Sequence, residues 1–161
     1  MRRPRPFVAA LRGLVVAWQG EPNLRFEVWA GYTALAWAAL VPLPRADTLW
    51  VIAVVGLVWT AELLNTAVEA TVDLVTGEWR PAAGLAKDFA AAGVLLASLL
   101  ALAVGLVIFG PHLGELPGTL VRAARSAPWG FGLGAAAWAA LGLSWLLGPR
   151  RRVDPRERKR R

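Results

Sequence analysis

Apolar and polar positions alternate along the chain in long blocks rather than in short periods. Residues 28–41 carry no charge and are closed by Pro42 and Pro44. With their flanks they are about long enough to cross a bilayer, which takes about 20 residues and at least about 17. A second block starts near residue 48, and residues 49–61 contain only Thr60 as a polar position. Residues 89–110, which Lys87 and Asp88 open as the third span, and residues 127–148 are each 22 uncharged residues, enough for a full membrane helix. Ahead of the first block, Phe7, Leu11, Leu14, Val15 and Trp18 recur at helical spacing over residues 7–19. With Arg12 off that face, the segment predicts an amphipathic helix lying in the membrane interface or against the bundle. The expected fold is therefore an all-α, multi-pass membrane bundle: an interfacial N-terminal helix, three core transmembrane helices and a fourth C-terminal one.

The second block does not end in a turn. It runs directly into AELLNTAVEATVD, residues 61–73, where Glu62, Asn65, Glu69 and Asp73 are spaced by 3, 4 and 4. At about 100° per residue these four fall within roughly 80° of one another, with Thr66 beside them and Leu63, Leu64, Val68 and Val72 elsewhere. The helix should continue to about residue 76. Only 14 residues, 48–61, separate Asp47 from Glu62, so the stripe must begin near the membrane surface or at a depth covered by protein. An ionisable group at mid-bilayer costs about 2.5–3.5 kcal/mol even on the mild insertion scale. Two readings stand open at this point. The stripe is either a solvated face, or a site for hard cations and phosphate chemistry, since carboxylates one and two turns apart can converge on one ion.

Charge changes the picture at the ends of the chain. The 161 residues are 57% hydrophobic, with a net charge of +7 from 18 basic and 11 acidic residues, and mean hydropathy is +0.47. That is too apolar for an ordinary soluble domain. Absence of cysteine excludes disulfides and thiolate metal sites. Basic residues concentrate in residues 1–6 and in the tail, residues 149–161, which holds eight basic and two acidic residues and is expected to be disordered. Such ends suit anionic lipid heads; nucleic acid is disfavoured as a partner because the rest of the chain is membrane-like. The N-terminal pattern does not read as a cleavable leader, since Arg12, Gln19 and Glu21 interrupt it. With four spans, the N-terminus, the connection at residues 77–84 with Lys87, and the tail share one side, the cytoplasm by the positive-inside rule. His112 reads as a solvated interface residue and the nine tryptophans as an interfacial belt and packing. GFGLGAAA in the last block permits close helix packing.

ELLNTAVEATVD resembles the signature of the small prokaryotic integral-membrane lipid kinases, the diacylglycerol kinase and undecaprenol kinase family. The likeness runs from about Arg2 to Pro111 and takes in GEPNLRFE (residues 20–27), AKD (86–88) and the apolar stretch ending in IFGP (108–111). It implies phosphorylation of a membrane lipid alcohol by ATP with Mg2+, at the cytoplasmic face of a bacterial inner membrane, by a homotrimer with sites between protomers. TAVEATVDLVT and IFGP are closer to the undecaprenol-kinase-like branch. By resemblance, Glu62 matches the catalytic base, and Glu21 and Glu69 match the glutamates that hold magnesium. Asn65 and Asp73 match polar residues that complete the site. Lys87 would neutralise phosphate charge, and Asp88 would orient Lys87 or help hold the helix start. Glu27 matches an acidic position of some members, and Arg2 an arginine near the nucleotide.

The chain also departs from the pattern. Phe26 stands where some relatives are polar, and residues 112–161 exceed the family's usual three spans. The implied division is a kinase domain over 1–111, a linker over 112–126, an additional helix over 127–148 peripheral to the catalytic three, and a basic tail over 149–161. No P-loop or soluble-kinase catalytic loop is present. The rival reading from another class is a non-enzymatic membrane bundle, a cation pathway or scaffold that keeps the carboxylate stripe.

Overall fold

The computed structural model describes residues 5–76 and 80–149. Among them there is no strand. Six α-helices follow one another: α1 (Pro6–Gly20), α2 (Pro22–Leu40), α3 (Arg45–Val75), α4 (Pro81–Phe109), α5 (Leu116–Ser126) and α6 (Pro128–Leu147), with a 3-10 segment, Gly110–Glu115, between α4 and α5. Four of the α-helices open on proline: Pro6, Pro22, Pro81 and Pro128. Proline suits the first helical position because its missing N–H would have no intrahelical acceptor there. A single residue, Glu21, separates α1 from α2. Pro42 and Pro44 end α2, since neither can continue the backbone ladder.

α3 and α4 pack along each other, α2 lies against α3, and α6 lies against α2 with α5 at its start. α2 and α3 approach closely at Gly31, where a Cβ would stand 2.8 Å from Val55 Cγ1 and 2.9 Å from the Trp59 ring. Toward one end of the bundle a small core joins Ala38, Val51, Val55 and Phe109. Trp37 stacks on Phe109 with centroids 4.6 Å apart. Most of the remaining leucines face outward. A third of the apolar stretch of α3 is buried (33%), but only 11% of the stretch that begins with α4 and none of α6. Lipid tails solvate such faces as well as other side chains would.

Three stretches are long and apolar enough to cross a membrane: Arg45–Val75, Pro81–Ser126 and Pro128–Leu147. α2, expected as the first span, falls short of that measure because Arg25 and Glu27 occupy its first turns. Its 19 residues still reach about 28 Å at 1.5 Å per residue, and α3 and α6 flank it. Two boundaries also differ from the sequence reading. The helix of the third span begins at Pro81, not at Lys87, because proline suits a first helical position and the uncharged Ala82 and Ala83 continue the helix readily. The expected linker, residues 112–126, is helical: the 3-10 segment carries the chain from α4 into α5, whose Arg122 and Arg125 lie on the side away from Leu116 and Leu120. Arg2 and tail residues 150–161 lie outside the described residues, as do residues 77–79 of the expected polar connection.

Candidate active site

The polar stripe of α3 is folded inward at its upper half and opens to the surface at its lower half. Glu62 is 2% exposed and Asn65 is 9% exposed, so the solvated-face reading fails for these two positions. Asp73, two to three turns further on, is exposed. The difference follows from what packs against each turn. α2 covers α3 from Gly31 toward its own start, and the indole N–H of Trp59 donates to the backbone carbonyl of Glu27 at 3.0 Å. That bond brings the first turns of α2 over the turn of α3 that carries Glu62.

Carboxylates gather around Glu62. Those of Glu21 and Glu69 lie close enough to repel its charge, and the Glu62 charge in turn repels that of Glu27. Asn65 donates from Nδ2 to Oε1 of Glu69 at 3.3 Å, while its own Oδ1 is buried without a hydrogen-bond donor among the described residues. Glu27 Oε2 is likewise buried and lacks a donor. Thr66 donates to the carbonyl of Glu62 at 3.0 Å, within the helix. Lone pairs left without donors inside a group of like charges are an arrangement that draws in positive charge.

At the open end, Lys87 Nζ meets Asp73 Oδ1 at 2.6 Å, joining the last turns of α3 to the start of α4. Asp88 is exposed on the next position. The structure thus brings Glu21, Glu27, Glu62, Asn65 and Glu69 together and sets Asp73 and Lys87 apart from them as a pair. Among the described residues, no three acidic or histidine side chains stand close enough to enclose a metal ion by themselves.

Below the carboxylates an apolar cleft of about 630 Å³ runs between α2, α3 and α4. Glu27 is at its polar end, and Gly31, Val55, Leu102 and Phe109 are among its walls. Its lining on α2 runs from Phe26 to Trp37, about 16 Å along the helix at 1.5 Å per residue.

Two residues that sequence reasoning passed over shape this region. One is Trp59, whose indole pins α2. The other is Arg25, 2% exposed, which donates to the carbonyls of Trp18 at 2.9 Å, Gln19 at 3.3 Å and Pro149 at 2.8 Å. An arginine set between Leu24 and Phe26 was the available signal for Arg25; nothing in the order of residues singled out Trp59 among nine tryptophans. Phe26, the departure in GEPNLRFE, packs on Trp145 of α6 with centroids 5.0 Å apart. An apolar residue there is matched to the additional helix.

Comparison with known proteins adds to this geometry. The family model described as prokaryotic diacylglycerol kinase matches residues 8–109. Undecaprenol kinase of Bacillus subtilis (strain 168) is 37% identical over 109 residues, which are 68% of this chain and 89% of that protein. Diacylglycerol kinase of Escherichia coli (strain K12) is 33% identical over 103 residues, 64% of this chain and 84% of that protein. Diacylglycerol kinase of Synechocystis sp. (strain ATCC 27184 / PCC 6803 / Kazusa) is 38% identical over 112 residues, 68% of this chain and 63% of that protein. The matched segment contains the whole carboxylate group and stops before α5 and α6.

Proposed function

The chain belongs to the prokaryotic diacylglycerol kinase family and is a membrane lipid kinase; from that premise we propose how its residues divide the reaction. Glu62 takes the proton of the lipid hydroxyl as that oxygen attacks the terminal phosphorus of ATP. The bond from that phosphorus to the bridging oxygen breaks, ADP leaves, and the lipid keeps the phosphoryl group. Family membership sets aside the reading as a non-enzymatic bundle.

Glu21 and Glu69 would hold Mg2+ on the nucleotide phosphates, with the buried Asn65 Oδ1 beside them. The donor set fits: all are hard oxygen donors, and magnesium commonly takes one or two carboxylates and leaves its other positions to phosphate and water. A spread group of carboxylates suits that sharing better than a closed cage would. The ion would neutralise phosphate charge, which is most of what phosphoryl transfer requires of a site. Lys87, steadied by Asp73, faces phosphate at the open end; Asp88 supports that turn. Glu27 closes the lipid side of the site, and Arg2 is assigned to the nucleotide on resemblance alone. The lipid alcohol is undecaprenol or diacylglycerol, and the signature favours undecaprenol. The active side and both termini are placed at the cytoplasmic face of the bacterial inner membrane, and the working unit is a homotrimer.

Burial of Glu62 at 2% exposure with three more carboxylates around it carries this reading. The test is ATP consumption by the purified protein in lipid bilayers with undecaprenol or diacylglycerol added in turn. Consumption that rises only with a lipid alcohol, and needs Mg2+, is the expected result. Consumption indifferent to both alcohols would overturn it.

A further inference from the structure

α6 lies beyond the segment shared with the family, yet its end reaches the corner that presents Glu21. α1 ends at Gly20, α2 begins at Pro22, and Glu21 is the one residue that joins them. Arg25 is one turn into α2. Its guanidinium is buried and donates to three carbonyls, Trp18 and Gln19 from the last turn of α1 and Pro149 just past α6, while its Nε–H meets no acceptor among the described residues. The first two satisfy carbonyls that a helix end leaves without partners, at the negative end of the α1 dipole. The third ties the same guanidinium to a residue 124 positions away.

The approach is built for this contact. A Cβ on Gly148 would run into the carbonyl oxygen of Ser144 in α6 and would stand 3.0 Å from Arg25 Cζ and 3.0 Å from Nε. Gly148 has φ −66° and ψ 152°. Glycine is needed there for space, first against the last turn of α6 and then so that Arg25 can lie on the backbone. Further contacts hold α6 in register along α2. Tyr32 donates to the carbonyl of Gly134 at 3.1 Å, and Trp138 donates to Thr33 Oγ1 at 2.9 Å. Trp145 stacks on Trp29, and a Cβ on Gly142 would meet Trp29 Nε1 at 3.1 Å.

We infer that α6 is a clamp on the active site: through Pro149 and Gly148 it fixes Arg25, and Arg25 fixes the α1–α2 corner that aims Glu21. Arg25 is a positioning residue, and the inference rests on the assignment of Glu21 to the magnesium–nucleotide complex. It alters the expectation that the fourth helix is peripheral to the kinase.

The experiment compares two truncated chains with the full chain in lipid bilayers. A chain ending at Pro149 keeps the acceptor oxygen and gives it a carboxylate charge. A chain ending at Leu147 lacks it but retains the whole of α6. Full chains with Gly148→Val and Arg25→Lys complete the set. The chain ending at Leu147 and Gly148→Val should need about fivefold more Mg2+ for half-maximal rate, the order expected when one hydrogen bond to a charged group is lost in part. Their rate at saturating Mg2+ should be close to that of the full chain. Deuterium uptake at the amides of residues 17–22 should rise in both. The chain ending at Pro149 should match the full chain, and Arg25→Lys, with fewer donors, should fall between. A merely structural role would instead lower the active fraction at every Mg2+ concentration. Unchanged deuterium uptake at the corner, or an unchanged Mg2+ requirement while Glu21→Gln raises it, would overturn the inference. Failure of the underlying assignment shows separately, as a Glu21→Gln variant with an unaltered Mg2+ requirement; uptake at the corner then decides for or against the clamp alone.

Discussion

Glu62 and Glu69 lie two turns apart on one face of α3, but they differ in surroundings. Glu62 is buried and Glu69 is half-buried and bonded to Asn65. The two environments suit two tasks, a base beside lipid and a ligand beside phosphate. Glu62→Gln keeps the shape and removes the proposed base. Turnover should fall by about 100-fold or more, while the Michaelis constant for ATP changes little, because the lost interaction belongs to the transition state. Glu21→Gln and Glu69→Gln should act on the other side of that division, raising the Mg2+ needed for half-maximal rate. Steady-state rates over a grid of Mg2+ and ATP concentrations separate the two patterns. Near-normal turnover in Glu62→Gln would remove the base assignment.

Between elements, the α2–α3 contact decides whether a site exists at all. Gly31 lets the helices meet closely enough for Trp59 to reach the Glu27 carbonyl, and that reach is what lays Glu21 and Glu27 over Glu62. Gly31→Leu would drive side-chain atoms into Val55 and Trp59. Overpacking of this kind costs about 1–3 kcal/mol, and here it would also part the carboxylates. The expected outcome is a lower unfolding temperature in detergent together with loss of activity. Gly93→Leu is the comparison. A Cβ at Gly93 meets nothing within 4 Å, so that variant should unfold near the parent temperature. Equal stability of the two variants would mean that α2 and α3 do not approach as described.

For the whole molecule, the start of α2 and the end of α6 meet at one end of the bundle through Arg25 and Pro149. α5 lies at the other end of α6. We therefore predict a cytoplasmic tail and an outer α5. Positive-inside bias points the same way: each of the tail's eight basic residues gains about 1 kcal/mol near an anionic cytoplasmic surface. In intact cells, cysteine placed at Ser126 should react with a membrane-impermeant thiol reagent and cysteine placed at Val153 should not. The reverse labelling would place the tail outside. Assembly is tested by mixing subunits that carry only Glu62→Gln with subunits that carry only Glu21→Gln. A site shared between protomers should regain activity in the hybrids. No recovery after verified exchange would mean that each chain builds its own site.

Much of this was legible along the chain because the cause is local. Blocks of 22 uncharged residues have no stable form in a bilayer as single segments other than helix, so α4 and α6 were legible as helices, and α3 followed from a shorter uncharged block that runs into polar residues at helical spacing. Spacing by 3, 4 and 4 placed Glu62, Asn65, Glu69 and Asp73 on one face before any neighbour was known. Family likeness supplied the chemistry for those positions. Local pattern could not say which part of the stripe would be buried, because that depends on α2 closing at Gly31, a contact between residues 24 positions apart. It placed the start of the third span at the charged Lys87, although Pro81 begins the helix, and it took α5 for a linker because its Pro117 and Gly118 read as breakers. Arg25 is the clearest case. Sequence offers an arginine between Leu24 and Phe26, with Asn23 and Glu27 next to them; only the folded chain brings the Pro149 carbonyl 124 residues away to meet it, since what a buried charge bonds to is settled by packing rather than by its neighbours in the chain.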